Sequence, residues 1–200
     1  MIPPFYENAV VVNELVKVYG PLHALDGLSF SVTRGEFFGI LGPNGAGKTT
    51  TMGILAGLIS PDAGSVMLAG KQAIGNNADL KKRLGLVPQE LAFYPTLSAV
   101  DNLSFFGRIY GFRGQLLKEH IRNVLQIVQL EVRSKEPVSH FSNGMKRRLT
   151  LAIGLLHKPE ILLLDEPTVG VDAQSRNAIL ESLQRLNREG SNRLGIGQGL

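Results

Sequence analysis

The 200-residue chain has no cysteine and no tryptophan, and aromatic residues make up only 6% of it. Without thiols there is neither a disulfide frame nor a thiolate metal centre. Its four histidines, His23, His120, His140 and His157, lack ligand spacing, which argues against a zinc site. No apolar run approaches the roughly 18 residues of a membrane span. The opening Met1-Ile2-Pro3-Pro4 is unlike a secretory leader, so a cytoplasmic protein is expected. Net charge is small too. Twenty-one Lys and Arg against 17 Asp and Glu give +4, which suits an anionic ligand but does not call for nucleic acid. Repeats, low-complexity segments and linkers are missing. What remains, 44% hydrophobic and 19% charged, is an ordinary globular composition, long enough for one domain with a sizeable core.

Glycine, by contrast, is plentiful, and one cluster organises the rest: Gly42-Pro43-Asn44-Gly45-Ala46-Gly47-Lys48-Thr49-Thr50. An apolar run, Phe37 to Leu41, precedes it, and a segment with helical spacing (Met52, Ile54, Leu55, Leu58) follows. Strand, glycine-rich turn, then Gly-Lys-Thr opening a helix is the context of a P-loop. Glycines let successive N–H groups face an anion, and the helix start adds partial positive charge. Lys48 then reaches the β- and γ-phosphates, and the Thr49 hydroxyl ligates Mg²⁺. A turn that merely ends a strand is the plainer alternative, which the flanking strand and helix disfavour.

Around this cluster, Ala9 to Val18, Leu25 to Val32, Ser65 to Ala69 and Leu84 to Val87 read as strands, and Ala78 to Arg83 as a short basic helix. Ser60-Pro61-Asp62-Ala63-Gly64 is expected to end the helix of the P-loop. Helices then dominate: Val100 to Tyr110, a stripe Leu116, Leu117, Ile121, Val124, Leu125, Val128 broken at Glu136-Pro137, and Asn143 to Leu156 capped by Ser142. Ile161 to Leu164 is a continuous apolar run, as in a strand covered on both faces. A last helix spans about Ala173 to Arg188. The fold class is therefore α/β, a mostly parallel central sheet with an N-terminal antiparallel part and an inserted helical subdomain. Residues 1–88 and 158–190 form the core, 89–157 the helical part and 191–200 an atypical tail. Lys81-Lys82-Arg83 and Arg147-Arg148 read as solvated basic faces.

Asp165-Glu166 sits at the carboxyl end of the buried strand, where ligands bind in open α/β sheets. One carboxylate can join the Mg²⁺ shell and the other can orient and deprotonate a water.

Walker A (Gly42 to Thr49), Gln89 after a strand, Phe141-Ser142-Asn143-Gly144-Met145, Asp165-Glu166-Pro167 and Val169-Gly170-Val171-Asp172 fall in an order that resembles the nucleotide-binding subunit of an ABC transporter, bacterial export type. The resemblance spans residues 8 to 190. It implies that ATP and Mg²⁺ are the cofactors and that the chain is an ATPase. It further implies a second copy packed head to tail, a transmembrane permease subunit as partner, no nucleic acid, and a place on the inner face of the cell membrane. Carried over by position, Tyr19 stacks on adenine, although a strand-end tyrosine also packs locally. Gln89 touches Mg²⁺ or the attacking water, with Thr49 and Asp165 as the other metal ligands. Ser142 and Gly144 reach the γ-phosphate bound to the other protomer, and Asp172 crosses the dimer interface. Glu166, Gln89 and Lys48 are the catalytic set. The surface around residues 88 to 112 is the expected docking face for the permease.

Two departures accompany the resemblance. Asn143 replaces a customary glycine, a substitution asparagine suits because it tolerates unusual backbone angles. Past Gly190 the pattern stops. Gln198 falls where a histidine is expected, and interleaved glycines make a poor strand at what should be the sheet centre. The tail is thus expected to be aberrant, C-terminal strands to be missing, and activity to be reduced. The rival readings are a nucleic-acid- or ribosome-associated ABC ATPase and an inert partial domain that only occupies a partner.

Overall fold

The computed structural model describes residues 8–73, 78–188 and 194–197. The valine-rich β1 (Asn8–Tyr19) turns at Gly20-Pro21 into β2 (Leu22–Thr33). With β4 (Ala63–Leu68) and β5 (Lys71–Gln72) these make an antiparallel sheet in the order β2-β1-β4-β5. A second sheet is parallel. Its strands are β3 (Phe37–Gly39), β6 (Leu84–Val87), β7 (Ile161–Leu164) and β8 (Leu194–Gly197), ordered β3-β8-β7-β6. Helix α1 (Lys48–Leu55) follows β3, and α2 (Ala78–Lys81) precedes β6. Helices α3 (Ala99–Ile109), α4 (Gly114–Ile127) and α5 (Asn143–Leu155) lie between β6 and β7, and α6 (Ala173–Arg188) comes after β7.

All four residues of β7 are buried, and the two-residue period of a strand sends them to different cores. Ile161 and Leu163 pack with Met52, Ile54 and Leu55 of α1 and with Val10, Val12 and Val66 of the antiparallel sheet. Leu162 and Leu164 join Leu103, Leu149, Leu155, Ile179 and Leu183 from the helices. Each such side chain contributes about 2 kcal/mol of transfer free energy. The parallel sheet is therefore a wall with a core on either face, which fixes its carboxyl-terminal edge in place.

Three expectations are corrected. Leu58 leaves the helical stripe and is 69% exposed. Helix α1 has already ended, because Gly57 at φ 69° reverses the chain while Leu58 N–H bonds the Gly53 carbonyl, the hydrogen-bond pattern of a Schellman stop. Leu116 likewise faces solvent, and α4 stops at Val128-Gln129, well before Glu136-Pro137. The third correction concerns the poor strand expected within the tail. Leu194–Gly197 forms β8 at the sheet centre, with ladders to Phe37–Gly39 and to Ile161–Leu164. A strand flanked on both edges gains hydrogen bonds from two neighbours, and glycine carries the same backbone donor and acceptor as any residue. That outweighs its weak strand propensity. Met1 to Pro4, Gly190 and Gln198, on which other expectations rested, lie outside the described residues.

Candidate functional site

A cavity of about 640 Å³ opens where the loops after β6 and β7 meet the glycine-rich loop. Asn44, Gly45, Gly47, Lys48, Thr49 and Thr50 form one side of its lining. Gly47 starts α1 at φ 79°, and a Cβ there would strike the Ala24 carbonyl, so only glycine lets the loop press onto β2. The first turn of α1 has neither a side-chain cap nor an acidic residue, which leaves its N–H groups to a ligand. Lys48 Nζ donates to the carbonyls of Gly42 (2.8 Å) and Pro43 (2.9 Å), which holds the ammonium at the loop with one N–H to spare. Ala46 N–H closes the turn onto the Pro43 carbonyl at 3.2 Å. Gly42, Pro43 and Ala46 thus shape the loop, and they are not among the residues lining the cavity.

Tyr19 lines the opposite end, beside Leu22 and Ala24. Tyr19 and Leu22 are register partners across the hairpin tip. Lys17 Nζ lies 5.4 Å from the Tyr19 ring centroid and pairs with Asp62 at 2.9 Å, which orders the ring. Sequence reasoning missed Leu22 and Ala24. The signal available was the two-residue turn at Gly20-Pro21, which puts Leu22 opposite Tyr19.

Gln89 and Glu166 complete the lining. Glu166 holds φ at 48°, a left-handed backbone rarely adopted outside glycine. Asp165, next to it, is not among the lining residues; its N–H bonds the Val87 carbonyl at 2.9 Å and extends the β6–β7 ladder. Burial, and secondarily the Glu166 charge, hold the Asp165 carboxyl above its ordinary range, against the opposing pull of Arg147.

Arg147 contradicts its reading as a solvated base. It is only 4% exposed, and its guanidinium donates to five carbonyls at 2.5–3.1 Å: Pro88, Gln89, Asp165, Glu166 and Pro167. Burial lowers its pKa, and the Asp165 and Glu166 charges offset part of that. Arg148 is also half-buried, donating to the Val128 and Gln129 carbonyls past the end of α4. Arg83 pairs with Glu160 at 3.2 Å. A sequence signal for Arg147 did exist: it shares an otherwise apolar helical stripe with Leu151 and Leu155.

Ser142, Gly144 and Asp172 are not among the residues lining the cavity. They gather instead where α5 and α6 begin. Ser142 Oγ accepts from Met145 N–H at 3.2 Å, the expected cap. Gly144 is buried, and a Cβ on it would run into the Ser175 side chain and approach Asp172 Oδ2 at 3.4 Å. Asp172 Oδ1 accepts from Ser175 N–H at 2.9 Å, and those Ser175 hydrogen bonds keep its carboxyl below the usual range.

The donor set suits magnesium. Thr49 and Gln89 offer neutral oxygens inside the cavity, Asp165 carries a carboxylate beside Glu166 but outside the lining, and Mg²⁺ commonly keeps waters and phosphate oxygens as its other ligands. No cluster of three or more His, Asp or Glu that could hold a metal occurs among the described residues.

Comparison with known proteins bears on the family and the fold. The family model described as ABC transporter matches residues 25–169. The chain is 47% identical over 174 residues to the linearmycin resistance ATP-binding protein LnrL of Bacillus subtilis, covering 87% of this chain and 56% of that protein. It is 43% identical over 179 residues to the Nod factor export ATP-binding protein I of Ralstonia nicotianae, covering 90% and 56%. The chain thus spans a little over half the length of these curated relatives. Among solved structures, cbiO1 of Clostridium perfringens, part of the ABC transporter complex cbiONQ, superposes with a TM-score of 0.87 at 27% identity, covering 96% of this chain and 78% of that one. A dimeric ATP-binding cassette in a post-hydrolysis state, bound to ADP and Pi, gives 0.81 at 26% identity, covering 96% and 88%.

Proposed function

The chain belongs to the ABC transporter family, and from that premise we propose that it binds ATP with Mg²⁺ in the cavity beside Lys48 and hydrolyses it to power a membrane exporter. One observation carries this reading: Lys48 and Thr49 line the same cavity as Gln89 and Glu166, although more than 110 residues separate the P-loop from Glu166 in sequence. The loop N–H groups and Lys48 take the β- and γ-phosphates. Thr49, Gln89 and Asp165 would hold the metal, which when bound neutralises phosphate charge. Glu166 orients a water and accepts its proton, while Tyr19 and Leu22 give the base a flat apolar wall.

The start of α5 and Asp172 serve a second copy. Ser142 is exposed beside Asn143 and lies apart from the cavity lining, the arrangement needed by groups that complete a partner's site. The solved dimeric cassette supports such an assembly, and cbiO1 comes from a complex with other subunits. Among the described residues no helix is long and apolar enough to cross a membrane. The partner proposed for the spanning path is a permease subunit, a reading supported by the family match. Its docking face is the surface of residues 88 to 112, where Leu91, Tyr94, Leu97, Phe105 and Ile109 are exposed close in sequence to Gln89. The words resistance and export in the relatives' names support the export reading, and a site on the inner face of the cell membrane is the place such a subunit would work.

The test is ATP turnover by the full-length protein assembled with its membrane subunit. Glu166→Gln is expected to lower turnover by about 100-fold or more while nucleotide still binds. Turnover at the wild-type rate in that variant would overturn the reading.

A further inference from the structure

We propose that Arg147 is a positioning residue for hydrolysis: it fixes the Glu166 carboxylate and the Gln89 loop in place and ties both to the start of α5. The inference rests on Glu166 being the proton acceptor proposed above.

Its guanidinium is buried and spends all its bonds on backbone, with two carbonyls after β6 and three after β7. Gln89 and Glu166, the two site residues these loops carry into the cavity, are both gripped by their own carbonyls. Glu166 also has a left-handed backbone, a conformation that persists only where surrounding contacts over-determine it. The three consecutive carbonyls of Asp165, Glu166 and Pro167 converge on the one guanidinium, which supplies that constraint. Planar, forked donors do this, whereas a lysine ammonium reaches fewer carbonyls from one point. Arg147 also stands in the second turn of α5, whose first residues follow Ser142. A shift of that helix start therefore moves the carbonyls under Glu166 and Gln89. Arg147 does not line the cavity and spends its donors on carbonyls, so it acts through Gln89 and Glu166, which do line it.

The test uses the full-length protein assembled with its membrane subunit, comparing wild type, Arg147→Lys, Arg147→Gln, Glu166→Gln and Glu166→Gln/Arg147→Gln in single-turnover and steady-state assays. Displacing the acceptor by a fraction of an ångström is expected to lower kcat for Arg147→Gln by about 30-fold with KM for MgATP held within about twofold. Arg147→Lys should recover part of the loss. In the Glu166→Gln background the same change should cost only about threefold, because one of the two groups it positions is already gone and only the Gln89 loop is left to displace. Equal losses in both backgrounds, a rise in KM in place of a fall in kcat, or wild-type turnover in Arg147→Gln would each overturn the proposal. If Arg147→Gln does not fold, Arg147→Lys alone decides: a reduced kcat at unchanged KM supports positioning, and wild-type kinetics refute it. Undiminished turnover in Glu166→Gln would instead sink the underlying hydrolytic assignment.

Discussion

Helices α1 and α5 both begin at motifs expected to meet phosphate, yet their first turns are built differently. At α1 the cap is Gly47, no side chain satisfies the exposed N–H groups, and Lys48 adds a cation. At α5 the cap is Ser142, whose hydroxyl takes Met145 N–H, while Gly144 is packed under Ser175. The first start is open toward a cavity in its own chain. At the second, the Ser142 hydroxyl caps one N–H, and Arg147 turns inward to the carbonyls of Gln89 and Glu166 behind that cavity. An apparently similar sequence signal, a small-residue cluster opening a helix, thus accompanies two distinct builds, an uncapped start beside a cavity and a capped start packed against Ser175. The proposed function would use the first for direct contact with an anion and the second for presentation to a second copy.

Changes aimed at each helix start can break this contrast. Lys48→Ala is expected to have the largest effect, weakening MgATP binding by about 100-fold through loss of a charge-assisted contact, with little change in melting temperature. A fluorescent-nucleotide titration measures it. Gly144→Ala should do the reverse. Its Cβ meets Ser175, so overpacking costs about 1–3 kcal/mol of stability while nucleotide affinity in the same chain stays within a few-fold; thermal and denaturant melts read it. Ser142→Ala removes the cap and costs about 1 kcal/mol, again without weakening binding to the chain's own cavity. A loss of nucleotide affinity in either α5 variant equal to that in Lys48→Ala would erase the distinction.

The smallest effect concerns Asp165, between the two regions. Its raised carboxyl pKa means that the native state holds the proton more tightly than the unfolded chain. That contribution is fully present below the unfolded value, near 3.9, and is lost as pH rises through the folded value. Asp165→Asn should therefore raise the melting temperature slightly at pH 7, with the gain gone below about pH 4, while turnover falls. A gain that persists at low pH would rule out the charge as its cause.

Much of this was readable in the sequence because local chemistry encodes it. The Gly42–Thr50 loop, the Ser142 cap and the apolar run at Ile161–Leu164 each need only neighbouring residues to be recognised. What escaped depends on tertiary placement. Arg147 looks like any surface base until two loops, 58 and 18 residues away, offer it carbonyls. Leu194–Gly197 looks like a poor strand until β3 and β7 flank it. Leu22 enters the cavity only through its pairing with Tyr19. Propensity read along the chain could not foresee contacts that exist only after the chain has closed on itself.

The most direct test of the central claim is a calorimetric titration of MgATP into two full-length variants, Glu166→Gln and Lys48→Ala/Glu166→Gln. Glu166→Gln should bind nucleotide with a clear heat, and the double variant should lose affinity by about 100-fold. Equal affinity in both would place the nucleotide away from the Lys48 loop and contradict the account.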